Sequence, residues 1–423
     1  MGRAFRHRNY RLFFFGQGIS LIGTWLTRVA TSWLVYRLTG SALLLGLVGF
    51  AGQIPTFLLA PIAGVLVDRW DRHRILVATQ VMAMVQSALL AYFALTGTIT
   101  VTYVLVLSVA QGIINALDTP ARQAFVVEMV ETRDDLPNAI ALNSSMVNAA
   151  RLLGPSVAGV LIAAVGEGYC FLIDSVSYVA VIVSLLMMVV RERTHVVAAS
   201  RVLTELVEGF RYVASFTPIR AILLLLALVS LAGMPYVVLM PVFAAQILGG
   251  GPNTLGLLMA ASGIGAVSGA LWLASRVSVI GLGRTLCVAG ALFGAGLVAF
   301  SFSRWLPVSL VLMVITGGGM MVQMAASNTL LQTIVDEDKR GRVMAFYTMA
   351  FFGMAPFGSL AAGWLGEHIG VPATVRVGGI VTLVGVGLFV RKLPELRRAI
   401  RPIYQRLGIL PTIGAEVPAR SDT

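Results

Sequence analysis

The chain has 423 residues, 57% hydrophobic and only 12% charged, with a formal net charge of +12. Soluble domains carry roughly 25% charged residues, so this composition, at a mean hydropathy of +0.87, excludes an ordinary soluble domain and makes the bilayer the expected solvent. The bases are scattered over many loops instead of gathered on one face, which removes nucleic acid as an expected partner.

Arg3, Arg6 and Arg8 precede an apolar run at 12–36. That run is too long for a signal-peptide core and is expected as a retained first span. Its Gln17, Ser20, Thr24 and Arg28 recur at steps of three and four, so they share one helix face. The second span, 41–67, stops abruptly inside PIAGVLVDRWDRHRIL. Asp68, Arg69, Asp71, Arg72 and Arg74 follow before the apolar text resumes at Ile75. A helix C-terminus is the negative end of the helix dipole and disfavours a carboxylate by roughly 0.3–1 kcal/mol. Asp68 therefore needs a positive partner. The eleventh span begins on the same side, with Arg340 and Arg342 beside its positive N-terminus. Asp68, with Arg69, Arg72 and Arg74, reads as one half of a cytoplasmic gate between the two ends of the chain, and Gly64 would allow close helix approach there.

The third span is 75–96. The fourth, 101–119, carries a stripe of Ser108, Gln111, Asn115 and Asp118. The fifth, 138–164, carries Ser144, Asn148 and Arg151, then Gly154, Pro155 and Gly159. Proline removes a backbone donor and kinks a helix. The sixth, 168–190, holds Asp174, the one acid well inside a predicted span. Ionisable groups at that depth face a cavity or a partner. Three polar stripes in one half predict a shared water-filled cavity, with helix–helix hydrogen bonding as the alternative. Asp174 with Arg151 or Arg28 is a candidate proton-coupling set, with a structural ion pair as the alternative.

The segment 191–218 is the longest loop. Its RVLTELVEGFRYV places Val202, Leu206, Phe210 and Val213 at helical spacing, which predicts an amphipathic helix at the membrane interface or, alternatively, a plain linker helix. Six more spans follow at 219–247, 253–275, 285–303, 307–330, 342–366 and 372–391. The seventh carries Tyr236 and the tenth Gln323, Ser327 and Asn328. Met320, Met321, Met324 and Met354 offer either a flexible lining for apolar ligands of varied shape or core filling. No P-loop lysine follows the glycine runs, so ATP is not the expected energy source, and no enzyme signature appears. Cys170 and Cys287 have no zinc, haem or redox spacing, and neither metal nor cofactor is expected.

With the N-terminus inside, every lysine and arginine except Arg28, Arg37, Arg151, Arg304 and Arg376 falls in an inner segment. This positive-inside bias predicts cytoplasmic termini. Leu45-Gly46-Leu47 aligns with Leu255-Gly256-Leu257, and Arg74 with Arg284 and Thr119 with Thr329 at the same offset. The expected organisation is therefore a six-helix half at 1–190, a cytoplasmic linker at 191–218, a second half at 219–393 and a cytoplasmic tail at 394–423, as in transporters built from two parallel repeats.

GVLVDRWDRHR resembles the loop signature of the major facilitator superfamily, Gly-x-x-x-Asp-Arg-x-x-Arg-Arg/Lys, with His73 where a second base is usual. FRHRNYRLFFFGQGISLIGTW, WLVYRLTGSALLLGL, ALDTPARQAF, RLLGPSVAG, LVEGFRYV and DEDKRGRV are similar to its transmembrane secretion effector branch, which includes enterobactin-exporter-like and macrolide-efflux-like proteins. The resemblance runs from Phe5 to about Leu393. It implies that the Asp68 loop gates the inward side. Residues 151–159 are similar to the superfamily's antiporter motif, with Ala150 and Ala158 replacing two glycines. Gln111-Gly112 matches the end of the family pattern Arg-x-x-Gln-Gly, but Ser108 stands in place of an arginine tied to proton coupling.

The reading is an all-α integral membrane protein of twelve helices with the major facilitator fold. It is expected as a monomer in a bacterial cytoplasmic membrane. Its expected activity is alternating-access export of a small amphiphilic drug or siderophore by proton antiport. An uncoupled or uptake facilitator, which Ser108 permits, and a non-transporting membrane sensor are the alternatives.

Overall fold

The computed structural model describes residues 3–130, 132–189, 202–276 and 278–410, but not the side chains of Pro61, Val65, Asp68, Arg133 and 202–206. The regular structure in these residues is helical. The first helices are α1 (Arg8–Thr39), α2 (Ala42–Arg69), α3 (Arg72–Leu95), α4 (Val101–Met129), α5 (Leu136–Val165) and α6 (Glu167–Leu186). A shorter helix, α7 (Val202–Ser215), follows the undescribed part of the long loop. Then come α8 (Thr217–Leu228), α9 (Tyr236–Val242), α10 (Pro252–Ala274), α11 (Leu282–Phe302), α12 (Leu306–Ile334), α13 (Glu337–Phe352), α14 (Ala355–Ile369) and α15 (Val371–Arg406).

Among the described residues, eleven helical segments are long and apolar enough to cross a membrane, α8 with α9 and α13 with α14 each counting as one. The α1 helix is as long, at 32 residues. It is less apolar because Gln17, Ser20, Thr24 and Arg28 lie within it. An all-helical solution follows from the solvent: no water is present in the bilayer core to satisfy a strand edge.

Local chemistry sets the helix ends. Gly40, at φ 64°, closes α1 in the left-handed conformation, and its N–H donates to the Tyr36 carbonyl. Ser41 Oγ then accepts the Leu44 N–H to start α2. The Asp71 carboxylate accepts the Arg74 N–H at 3.0 Å and starts α3. That explains one of the two acids in the basic turn: it is an N-cap.

The first six helices pack chiefly on one another, and so do α8 to α15. The two groups meet along two seams, α2 against α14 and α5 against α10. Both ends of the described chain lie on one face, here called the terminal face. There the Ala4 N–H donates to Asn138 Oδ1 at 3.0 Å, and Arg406 lies 3.8 Å from Asp336. The α7 helix docks on the same face, through Arg342 to Glu208 at 3.0 Å and Lys339 over the Tyr212 ring at 4.7 Å. Of its apolar stripe, Phe210 is exposed and Val213 buried, while the side chains of Val202 and Leu206 lie outside the description.

Within the second group, α10 and α12 cross at backbone contact. A Cβ on Gly317 would collide with the Ser262 carbonyl, and one on Gly265 with the Val314 carbonyl. Overpacking of this kind costs roughly 1–3 kcal/mol or more. Gly317→Val is accordingly expected to lower the midpoint of thermal unfolding in detergent by several degrees. An unchanged melt would mean that the crossing is looser than this geometry.

Candidate functional site

Both seams are closely packed at the face opposite the termini. Near the face opposite the termini, a Cβ on Gly46 of α2 would lie 2.5 Å from the Ser359 carbonyl and 2.7 Å from Gly363 Cα of α14. On the second seam, a Cβ on Gly159 of α5 would lie 2.8 Å from the Pro252 carbonyl and 3.1 Å from Gly256 Cα of α10. Small residues let backbones approach this closely inside a bilayer. Among the described residues, the hydrogen bonds joining the two groups also lie at this far face. Ser41 Oγ donates to Glu367 Oε2 at 3.0 Å, and the Leu43 N–H points at the same oxygen at 3.3 Å. Glu367 stands at the C-terminal end of α14, where its own helix repels it, and the positive N-terminus of α2 answers it.

At the terminal face a Cβ on Gly64 of α2 would have no atom of the described residues within 4 Å, so the close approach expected there is absent from this conformation. The Asp68 side chain lies outside the description. Arg69 and Arg340 are exposed. Arg72 pairs with Glu128 of α4 at 2.6 Å, Arg74 stands 3.9 Å from Asp71, and Arg342 pairs with Glu208. Arg72 and Arg74 are thus paired within the first half, and Arg342 with the linker helix α7.

The polar stripes divide into two kinds. Some residues lock helices inside the first half. Asp118 is 2% exposed; it accepts from Thr79 at 3.0 Å, from Gln80 at 2.7 Å and from Arg122. Asp174 is also 2% exposed and joins α1, α3 and α6. Its Oδ2 accepts from Thr27 at 2.7 Å and from Ser87 at 3.0 Å, and its Oδ1 has no partner among the described residues. Gln17 and Ser20 are buried, and Thr24 donates to the Ser20 carbonyl at 3.0 Å. Gln323, fully buried, has neither amide atom partnered among the described residues.

The other residues keep open faces. Gln111 donates to Asn115 at 3.1 Å and Asn148 to the Ser144 carbonyl at 2.9 Å, all within their own helices. Asn328, half-buried, accepts from Gln332. The Arg28 side chain, on the polar stripe of α1, is exposed. Its guanidinium lies over Trp25 at 4.8 Å. Trp25 in turn covers Gly154 of α5, where a Cβ would collide with it. Arg151 lies one helical turn before Gly154, half-buried. Its charge acts on both Arg28 and Tyr236, and the Tyr236 hydroxyl lies 3.0 Å from Ser262 Oγ of α10. Pro155 is buried just beyond, and α5 runs through it without a break.

Glu367, Ser41, Trp25 and Ser262 were not singled out from sequence. Glu367 falls one residue past its predicted span; its only signal is an acid at a helix end.

Comparison with known proteins places this geometry. The profile of the transmembrane secretion effector family matches residues 3–405. The chain is 26% identical over 378 residues to the staphyloferrin A transporter of Staphylococcus aureus, covering 88% of this chain and 93% of that one. It is 27% identical over 393 residues to the multidrug efflux pump Tap of Mycolicibacterium fortuitum, covering 90% and 95%. It is 23% identical over 412 residues to macrolide efflux protein A of Streptococcus pyogenes, covering 93% and 98%. A bacterial homologue of the iron transporter ferroportin, solved in an inward-facing state, superposes at a TM-score of 0.72 with 15% identity over 91% of this chain and 98% of that one. A bacterial homologue of the lysosomal transporter Spinster, inward-facing and unoccupied, gives 0.67 at 14% identity over 94% and 98%. These likenesses show the fold, that of the major facilitators.

If Glu367 holds the far face shut, its removal should cost the closed state about 0.3–1 kcal/mol, roughly two- to fivefold in population. Ser359→Cys places a thiol at a site 3% exposed in the seal, against the buried Cys170 and Cys287. Adding Glu367→Ala is expected to speed labelling of that thiol by an impermeant maleimide from the far face two- to fivefold. Equal rates with and without Glu367 would assign the seal to the glycine crossings alone.

Proposed function

Since the chain belongs to the transmembrane secretion effector family, a family of multi-pass membrane transporters and not of enzymes, we propose that it exports a small amphiphilic molecule by alternating access. The observation that carries this reading is the asymmetry along α2: backbone contact at the far face and open space around Gly64 at the terminal face. A channel would need a continuous path, whereas a carrier closes one end while the other is open. The positive-inside bias supports a cytoplasmic terminal face. On that orientation the conformation is inward-open.

The two rocking bodies are residues 1–190 and 219–393, with 191–218 as linker and 394–423 as tail. When the inward side closes, Asp68 meets the N-terminus of α13 beside Arg340 and Arg342, repeating at that face the physics of Glu367 against α2. Asp174 carries the coupling proton, because it is a buried carboxylate with one unpartnered oxygen. Arginine cannot take that role, since a guanidinium does not release its proton in proteins. Drug and siderophore transporters among the relatives support an amphiphilic cargo. Uncoupled uptake is a second reading, favoured by Ser108 in the coupling arginine's place.

Bacteria lacking their own pumps, expressing this protein, should accumulate less of at least one of a macrolide, a cationic dye and a catecholate siderophore. A protonophore should abolish the difference. Asp68→Asn should lower export roughly two- to fivefold with the protein still in the membrane, and Asp174→Asn should remove the protonophore-sensitive part. Wild-type turnover in Asp68→Asn sinks the gate. Export indifferent to the protonophore moves the assignment to the uncoupled reading.

A further inference from the structure

Two cations without a counter-charge among the described residues stand on the packed helices α1 and α5: Arg28 on α1, exposed, and Arg151 on α5, half-buried. Trp25 connects them, lying under the Arg28 guanidinium at 4.8 Å and against Gly154, one turn from Arg151. Each guanidinium lies within electrostatic range of the other. Among the described residues, no carboxylate pairs with either one. The acids that could have done so are engaged elsewhere: Asp174 with Thr27 and Ser87, Asp118 with Thr79, Gln80 and Arg122, Glu167 with Arg37 and Glu367 with the α2 N-terminus.

Two like charges held together at membrane depth repel each other and lose hydration. An ordinary structural site would have placed an acid between them. Neither charge can be shed, because a guanidinium stays protonated. The arrangement is relieved by an anion that enters from outside. A guanidinium presents its donors as a planar fork that matches two oxygens of one carboxylate or phosphate. Trp25, half-buried under the Arg28 guanidinium, adds aromatic surface beside the pair, which suits an apolar body attached to that anionic group.

We propose that Arg28 and Arg151 together bind an oxyanion on the cargo, so that the transported amphiphile carries a carboxylate or phosphate group. This deepens the transport reading above and rests on it for the word cargo. The binding itself does not depend on turnover.

The test uses the purified full-length protein in lipid nanodiscs and three probes with the same aromatic body: 2-naphthoate, 2-naphthyl phosphate and the neutral 2-naphthamide. Calorimetric titration should show at least one anion binding about tenfold or more tightly than the amide. The better of the two anions identifies the oxyanion. Arg28→Gln and Arg151→Gln should each remove most of that preference and leave amide binding unchanged, while Arg28→Lys should keep part of it, as a point charge without the fork. Unliganded melting curves that overlay wild type confirm that the variants fold. Equal affinity for anions and amide, at any level, overturns the proposal, as does a preference that survives both Gln variants. Preferential binding in nanodiscs with no export in cells would overturn the transport reading alone; export of neutral compounds with no anion preference would overturn this inference alone.

Discussion

The two glycine crossings, Gly46 with Gly363 and Gly159 with Gly256, are the constraint on which the rest of the structure depends. Each brings backbone onto backbone across the two groups of helices. Lipid tails are as apolar as leucine, so apolar area alone does not drive helices together in a bilayer; close packing does. A side chain at any of these four positions would wedge the far face apart. With them in place, the far face is closed, and on the second seam close packing continues from Gly159 down to Gly263 beside Arg151 and Leu152.

Charge at helix ends supplies the polar part of the same design. Glu367 is placed where its own helix disfavours it and is relieved by the N-terminus of α2. An arrangement of this kind is weak, a fraction of a kcal/mol to about one. Weakness is appropriate for a contact that has to break in every transport cycle. Contacts that hold each half rigid have a different character. Asp118 and Asp174 are buried, carry several hydrogen bonds each and join helices of one half only. Losing a partner in such a buried network leaves an unpaired polar group at low dielectric, which is costly. Strong networks inside a half and weak contacts between halves are what rigid-body rocking requires.

Much of this was legible in the text of the chain. Apolar runs of about 20 residues marked the spans because the bilayer core is ~30 Å thick and a helix rises ~1.5 Å per residue. The stripes Gln17–Arg28, Ser108–Asp118 and Ser144–Arg151 were visible as helical periods. Period assigns residues to a face, not to what that face meets. Thus Gln17 and Arg28 share one stripe, yet Gln17 is buried and Arg28 exposed. Asp118 and Asn115 share another, yet Asp118 turns to α3 while Asn115 bonds within its own helix. The far-face seal was hidden for a related reason: glycine is common in such a chain, and nothing local separates Gly46 from Gly64.

By itself, then, the amino-acid order determined the solvent, the apolar spans and the family. These depend on composition, local backbone chemistry and hydropathy, which act over a few residues or sum along a span. Tertiary structure alone decided which glycines meet, that Glu367 caps α2, that Asp174 faces Thr27 and Ser87, and that Arg28 and Arg151 stand on packed helices without a counter-charge among the described residues. Those facts depend on contacts between residues from 87 to more than 300 positions apart, and no local period encodes such a distance.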